Sequence, residues 1–529
     1  MTTENIIIKD WRNIDFSFGL VYPNVSKLGM SSYSIRLLYF LINSHENIAC
    51  ERIFLPENLK LKFPASKDYS SQNILRSIEN KVLPNEFDIL GFSFHFENDL
   101  RNILWILDKS EIPLTFQERQ ECISSEKLKF PLIIGGGPVV TSNPMSFSRI
   151  FDILFIGDSD YNLKLFLQNF SNYKNEKVNF NGFLESTSRI EGIFIPALKN
   201  KVNRAVLNNL DDSPNPIFQV ISIDPKENNI FESNFFVEIN RGCPYKCKFC
   251  ISSFHNSPFR NRSYENIKDV IEDAIKYSNF DTISLIGSCV SSHPKFKQIC
   301  ELIINNGKRL SIPSIRIDHL TPDIIQLLER ADIKTVTIAP EAGSESLRFG
   351  LGKRISNEKI ISVLTQIRNS QIKNIKFYFL IGLPGEKEEN IDDIIDLLKR
   401  VDQLGFERNS LRVNINPFIP KLNTPYEKQI SSYLDVKLIE LRRKFQKLER
   451  ELKRIPSIKI KFKNFKSLIK NARLQTIISL GNQKVSDMLL SYYYNGANFG
   501  ALQKAGNDLQ FSINDYLLKI RDCYSPWKI

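Results

Sequence analysis

Asn240-Arg241-Gly242-Cys243-Pro244-Tyr245-Lys246-Cys247-Lys248-Phe249-Cys250 follows directly on Phe235 to Asn240, an apolar stretch that reads as a β-strand. The spacing is Cys-x3-Cys-x2-Cys. Thiolates are the usual ligands of iron–sulfur clusters, and a four-iron cluster ordinarily takes four of them. Three would leave one iron open to a small chelating ligand. The alternative reading is zinc, because His255 lies five positions after Cys250 and would complete a Cys3His tetrahedron.

The other cysteines do not cluster. Cys50, Cys122, Cys289, Cys300 and Cys523 are scattered through the 529 residues, where a small buried hydrophobe is the simplest role. Eight cysteines are too few for a disulfide scaffold in a chain this long. With 42% hydrophobic and 11% aromatic residues there is apolar material for more than one core. No apolar run reaches the eighteen or so residues a membrane span needs, and Met1 to Asn5 does not open a secretion signal. A cytoplasmic protein without a membrane span is the expectation. The net charge of +12 would suit a polyanion such as RNA. Its densest source, Lys437 to Arg473, reads first as a solvated helix face.

The apolar pattern outward from the cysteines divides the chain. Upstream, in 1–170, strands at Phe18–Tyr22, Cys50–Leu55, Phe87–Phe94, Pro131–Gly135 and Ile153–Gly157 alternate with helices, including Gln72–Glu79. That is the signature of an α/β, doubly wound, Rossmann-like domain. Ligands sit at the carboxyl ends of such strands, which brings together Tyr22-Pro23-Asn24, Ser93-Phe94-His95 and Gly135-Gly136-Gly137-Pro138, with Gly157-Asp158 adjacent. Residues 171–232 read as a bridging segment. Downstream, 233–430 alternates strands at Phe235–Asn240, Thr282–Ile286, Ser314–Ile317, Thr335–Ile338, Lys376–Leu380 and Leu411–Ile415 with helices, which predicts a partial (β/α)6 barrel with the cysteines at its carboxyl mouth. Residues 431–529 read as a mainly helical, basic C-terminal region.

The cysteine segment resembles the defining motif of the radical S-adenosylmethionine (SAM) superfamily, and other segments extend the match. Arg260-Asn261-Arg262-Ser263 resembles the basic turn after it, Thr337 to Glu345 the fourth barrel strand, Phe379 to Glu386 the fifth, and Asn416 to Pro425 the end of the sixth. Glu51 to Pro56, Asp88 to Ser93, Pro131 to Pro138, Gly192 to Pro196 and Pro526-Trp527 resemble the subgroup with an N-terminal cobalamin-binding-like domain.

This resemblance implies that Cys243, Cys247 and Cys250 hold a 4Fe–4S cluster whose open iron chelates SAM. Phe249 would wall the adenine, and the backbone at Gly287 and Ser288 would touch the methionine end. Ile286-Gly287-Ser288-Cys289 stands where the family commonly has Gly-Gly-Glu. Glu341 is a candidate for the ribose or methionine end of SAM, or else an ion-pair partner of Arg348 or Lys353. Gly382 and Gly385 would bound a shelf past the adenine, and Gly135, Gly136 and Gly137 would approach a cobalamin. The Asp-x-His-x-x-Gly segment that supplies a cobalt ligand in many cobalamin domains is absent, and His45 and His95 read as packing or surface residues.

The reaction implied is reductive SAM cleavage that starts radical chemistry, with cobalamin-dependent methyl transfer to an unactivated carbon favoured. A cobalamin-free radical SAM enzyme that rearranges a substrate or modifies RNA or protein is the alternative. A zinc-stabilised RNA-binding protein is a further one. A ferredoxin or flavodoxin would donate the electron, and the substrate, whether small molecule, RNA or protein, is not written in these residues.

Overall fold

A computed structural model describes residues 3–57, 61–65, 75–122, 128–222, 233–429, 438–460, 464–510, 512, 515–516 and 527–528. Cys523 and Pro526 lie outside them. The chain forms two compact units: Met1–Ser233 with Ile477–Tyr516 and Ser525–Ile529, and Asn234–Thr476 with Leu517–Tyr524. The C-terminal region expected as one piece is therefore divided. The helices Gln483–Tyr494 and Phe499–Asp508 belong to the first unit, whereas Leu438–Leu452 belongs to the second. Among the described residues no helix is long and apolar enough to cross a membrane.

The first unit is built on six strands, β1 (Phe16–Val25), β2 (Ile48–Leu55), β3 (Ile89–Ser93), β4 (Leu132–Gly136), β5 (Ile153–Phe155) and β6 (Ile193–Phe194). Their order is β2-β1-β3-β4-β5-β6, parallel except for the antiparallel β6. β2 and β3 are buried along their whole length, as parallel strands covered on both faces must be. Helices Tyr33–Asn43 and Asn162–Lys174 pack one face, where Ile35, Tyr39, Phe166 and Phe170 join Phe16, Phe18 and Leu20 in one core. The helix expected over Gln72–Glu79 is not found: residues 66–74 lie outside the described ones and 75–80 form coil and bends. The direction of the sheet reverses between β1 and β3, the switch point where such folds open a ligand crevice.

The second unit is a partial parallel barrel. β7 (Phe235–Glu238), β8 (Thr282–Ile286) and β9 (Arg309–Ser311) pair in the order β9-β8-β7. β10 (Thr335–Glu341), β11 (Asn374–Ile381), β12 (Leu411–Pro417) and β13 (Ile458–Ile460) pair in sequence order. The strand expected at Ser314–Ile317 lies earlier, at β9, and 314–316 is a connection whose Ile315 N–H donates to Thr337 O at 3.5 Å. β13 was not anticipated, because three residues between basic helices leave little alternation to read.

Along β11 the apolar Ile375, Phe377, Phe379 and Ile381 are buried and alternate with half-buried Lys376 and Tyr378. Lys376 pairs in register with Thr337 and Arg412, and Tyr378 with Asn414, so one face of β10–β12 carries a polar stripe.

The basic helix Leu438–Leu452 spends much of its charge inside the chain. Lys444 bonds the Glu386 carboxylate at 3.0 Å, and Lys447 bonds Asp392 at 2.7 Å. Lys453 meets Glu449 at 2.7 Å and Arg454 meets Glu451 at 3.1 Å.

Candidate functional site

The cysteine loop leaves the barrel at the carboxyl end of β7 through a short antiparallel pairing of Asn240–Arg241 with Arg260–Asn261. Gly242 turns the chain at a φ of +81°, and a Cβ there would stand 2.4 Å from Asn256 O, so only glycine fits. The loop is held by Cys250 N–H to Cys247 O at 2.9 Å and by Lys248 N–H to Leu351 O at 2.9 Å. Cys250 then stands at the residue before the helix Ile251–His255, its side chain making no capping bond. The basic turn is structural: Arg262 is buried with its Nε on Glu238 O at 2.9 Å, and Arg241 pairs with Glu238 at 2.8 Å.

Cys243 and Cys250 are half-buried and Cys247 is buried. Burial pushes the Cys247 thiol up, opposed by the charge of Lys353, with Cys243 and Cys250 near enough to act on it as well. Cys243 and Cys289 lie close enough for each thiol to shift the ionisation of the other, and Cys289 Sγ meets Ser292 Oγ at 3.1 Å. Cys289 thus stands beside the trio, which its isolation in sequence concealed.

Tyr245, inside the cysteine motif, has the Arg316 guanidinium 3.4 Å from its ring centroid and bonds His319, whose Nδ1 lies 2.9 Å from Ser291 Oγ. Arg316 pairs with Asp318 at 2.8 Å. Arg316 and Lys353 oppose the rise of the Cys247 thiol, each while paired with a carboxylate of its own, Asp318 and Glu341.

His255, the residue that would complete a zinc tetrahedron, uses one ring nitrogen elsewhere. It is buried with Nε2 2.8 Å from Leu422 O. Among the described residues no three His, Cys, Asp or Glu side chains are gathered tightly enough for a single metal ion. A cubane cluster does not ask for that, because each thiolate takes a different iron. Three thiols on one partly open loop are the donor set that a four-iron cluster with one open iron takes.

Of the other expected residues, Phe249 is half-buried, Gly287 half-buried and Ser288 exposed, all in the loops at the carboxyl ends of β7 and β8. A Cβ on Gly287 would lie 2.2 Å from Asn240 Oδ1. Glu341 ends β10 at a φ of +70°, beyond a break in register with β11, and its carboxylate pairs with Lys353 at 3.0 Å. Lys353 also donates to Ala339 O. Arg348 is not its partner; buried, it donates to the carbonyls of Ala342 and Gly343 and to Asn357 Oδ1. Gly382 and Gly385 turn at φ of +76° and +78°, and Glu386 folds its carboxylate back onto Gly382 N–H at 3.0 Å.

In the first unit Phe94 N–H bonds Gly136 O at 2.8 Å, joining the loops after β3 and β4 as expected. Gly137 has a φ of +111°, and a Cβ there would stand 2.7 Å from Phe94 O. Gly135 serves packing instead, since a Cβ would lie 2.8 Å from the Phe151 ring. His95 Nε2 lies 3.0 Å from both Ser34 Oγ and Ser93 Oγ, and its ring meets Tyr22 edge-on at 5.6 Å. Burial lowers its pKa to about 4, so the imidazole is neutral near pH 7.

Asp99 accepts from Asn24 Nδ2 at 2.9 Å, and burial raises it to about 6. Because its folded pKa exceeds the unfolded one, its stabilising contribution is present below about pH 4 and lost as pH rises through about 6. Asp99→Asn is expected to leave thermal stability unchanged near pH 3 and to raise it at pH 7.5 by about 2 kcal/mol, read as a flatter Tm-versus-pH curve.

The family described as the Radical SAM superfamily matches residues 237–398, and that described as Radical SAM proteins, N-terminal, matches residues 34–196. The chain is a member of the radical SAM superfamily, an enzyme class that works with SAM and an iron–sulfur cluster.

Its fold resembles that of two solved radical SAM enzymes that are cobalamin-dependent. The methyltransferase TsrM of Kitasatospora setae, solved with cobalamin and a 4Fe–4S cluster bound, superposes with a TM-score of 0.53 at 13% identity, over 79% of this chain and 78% of that one. OxsB with aqua-cobalamin bound gives 0.52 at 15% identity, over 97% and 74%. At these identities the likeness is one of fold.

An uncharacterized protein of Methanocaldococcus jannaschii is 25% identical over 474 residues, covering 89% of this chain and 90% of that protein. A tRNA-2-methylthio-N(6)-dimethylallyladenosine synthase of Clostridium botulinum is 25% identical over 224 residues, 37% of this chain and 49% of that enzyme. This chain thus matches about half the length of that synthase.

Proposed function

We propose that Cys243, Cys247 and Cys250 ligate a 4Fe–4S cluster at the barrel mouth, that SAM is cleaved there, and that the first unit holds a corrinoid used in methyl transfer to a carbon. The observation that carries this is the position of the three thiols, on one partly open loop at the carboxyl end of the first barrel strand. A reduced cluster held there supplies one electron to the sulfonium of SAM, and a methylated corrinoid supplies the methyl group.

The chain's own residues bind and orient. Gly242 shapes the loop, and Lys248 N–H docks it on Leu351. Glu341, held at an unfavourable backbone angle against Lys353, presents a carboxylate at the end of β10 for the polar end of SAM. A strained non-glycine residue at a strand end is where functional constraint outweighs backbone cost. Gly382 to Gly385, locked by Glu386, forms a rigid shelf beside it. Phe249 offers an apolar wall, and the backbone of Gly287 and Ser288 offers carbonyls. Gly136 and Gly137 bring main chain close to the crevice at the switch point, where the corrinoid is placed.

The test is anaerobic incubation of the cluster-loaded protein with SAM and dithionite. 5′-Deoxyadenosine or a methylated corrinoid by mass spectrometry is expected, and neither product from protein that carries its iron would overturn the reading. Glu341→Gln is expected to raise the KM for SAM about tenfold, with iron content unchanged, as measured by initial rates of SAM turnover.

A further inference from the structure

The polar stripe on β10–β12 continues onto β13 and carries charge that the barrel unit does not neutralise. Register sets Thr337, Lys376, Arg412 and Lys459 side by side on four neighbouring strands, with Tyr378 beside Asn414 two residues farther along. Neighbouring strands lie about 4.8 Å apart and residues in register share a face, so three cationic side chains stand in one row. The alternate residues of β11, Ile375, Phe377, Phe379 and Ile381, are buried on the other face. In a parallel barrel the helices form an outer ring, so the buried apolar face is turned to them and the polar face to the interior. Lys376, Arg412, Tyr378 and Asn414 are half-buried, and Lys459, on the edge strand, is exposed.

Among the described residues the side chains of Lys376, Arg412 and Lys459 form no ion pair, and the Tyr378 hydroxyl makes no hydrogen bond. Other cations of this unit that are as well covered are paired: Arg316 with Asp318 at 2.8 Å, Lys353 with Glu341 at 3.0 Å and Lys444 with Glu386 at 3.0 Å. Like charges on neighbouring strand positions destabilise a sheet, and water screens them less when they are half-buried. A row kept at that cost, without a carboxylate of its own, suits an anion from outside the chain. Lysine supplies a point charge and arginine a planar fork, the two donors that take phosphate and carboxylate. Lys376 stands five residues short of Ile381, the end of β11, so the row lies roughly 16 Å along the strand from the carboxyl end.

We propose that Lys376 and Arg412, with Lys459 at the edge, hold the phosphate or carboxylate group of a small anionic substrate, and that the rest of this substrate extends toward the cysteine loop. This rests on the reading of that loop as the place where SAM is cleaved, and it adds the chemical class of what is modified there. The Tyr378 hydroxyl donates to the same substrate from the next row. A nucleic acid is disfavoured, because a phosphate backbone needs a run of exposed cations and only Lys459 of the three is exposed.

The experiment is isothermal titration calorimetry of the full, cluster-loaded chain without SAM, at constant ionic strength, with inorganic pyrophosphate and citrate as probes. Saturable one-to-one binding of at least one probe is expected, and the tighter of the two tells phosphate from carboxylate. Lys376→Gln and Arg412→Gln are each expected to weaken it about tenfold, whereas Lys376→Arg keeps it. Lys297→Gln, which removes a half-exposed lysine elsewhere on the unit, is expected to change nothing. Because each glutamine variant relieves repulsion within the row, both are expected to melt at or above the wild-type temperature, which separates lost binding from lost fold. No saturable binding by the wild type, or equal affinity in both glutamine variants, would overturn the proposal. So would a short single-stranded RNA that binds more tightly than either probe and is released by Arg412→Gln. If 5′-deoxyadenosine forms from SAM while neither probe binds, the anion site alone falls. Probe binding at the row in iron-loaded protein that makes no 5′-deoxyadenosine removes the SAM reading and leaves the anion site.

Discussion

Replacing any one of Cys243, Cys247 and Cys250 by alanine is expected to lower bound iron from about four per chain to below one and to abolish 5′-deoxyadenosine formation, with little change in the far-ultraviolet CD spectrum. Each thiolate in the proposed site ties a separate iron, so losing one leaves a second iron open and the cluster without a stable frame. The barrel would survive. Gly242 and the backbone bonds Cys250 to Cys247 and Lys248 to Leu351 hold the loop without using a thiol. Cys289→Ala is the internal control: it stands near Cys243 but belongs to a different loop, so iron content should stay near four. Equal iron loss in the Cys289 variant would place that thiol among the ligands. Full iron in all three motif variants would remove the assignment.

Replacing Lys444 by methionine is expected to destabilise the barrel unit by about 3–5 kcal/mol at pH 7.5. The Lys444 and Glu386 side chains are 6% and 2% exposed, so the variant leaves a carboxylate out of water without its counter-charge. Burial already raises the Glu386 pKa, and Lys444 is the largest influence opposing the rise. Since a carboxyl with a raised folded pKa loses stability as pH rises through that pKa, the deficit should shrink toward pH 5 and widen above it. Because Glu386 also holds Gly382 N–H, SAM binding should weaken in the same variant. Urea unfolding at pH 5 and pH 7.5 measures the first effect. A deficit that does not change with pH would mean that lost packing, not unpaired charge, explains the instability. A double variant, Lys444→Met with Glu386→Gln, is expected to recover most of it.

Both consequences trace to features with different visibility in sequence. The cysteine trio was legible because three cysteines fall within eight residues after an apolar strand, and local spacing is what a sequence displays. The doubly wound sheet was legible for the same reason, since β1 to β5 are apolar runs separated by helical periods. What escaped depends on long-range approach. Cys289 reads as an isolated small hydrophobe until β8 is laid beside β7. Arg316, Tyr245 and His319 meet only once Ile317–His319 has folded back toward the cysteine loop. The polar stripe of Lys376, Tyr378, Arg412 and Asn414 was present as alternation within otherwise apolar strands, and register alone lines it up. Lys444 was hidden for the opposite reason. In a lysine-rich helix one buried ammonium looks like all the exposed ones, and only the position of Glu386 distinguishes it. His95 carried no motif at all, because its serine partners come from the helix after β1 and the end of β3.

The measurement that bears most directly on this account is low-temperature EPR of the anaerobically reconstituted, dithionite-reduced protein, with and without SAM. The account predicts a spin-one-half signal from a reduced four-iron cluster whose g-values shift on adding SAM, because an iron without a protein ligand takes the amino and carboxylate groups. A cluster signal unmoved by SAM, or protein that binds zinc and no iron, would contradict it.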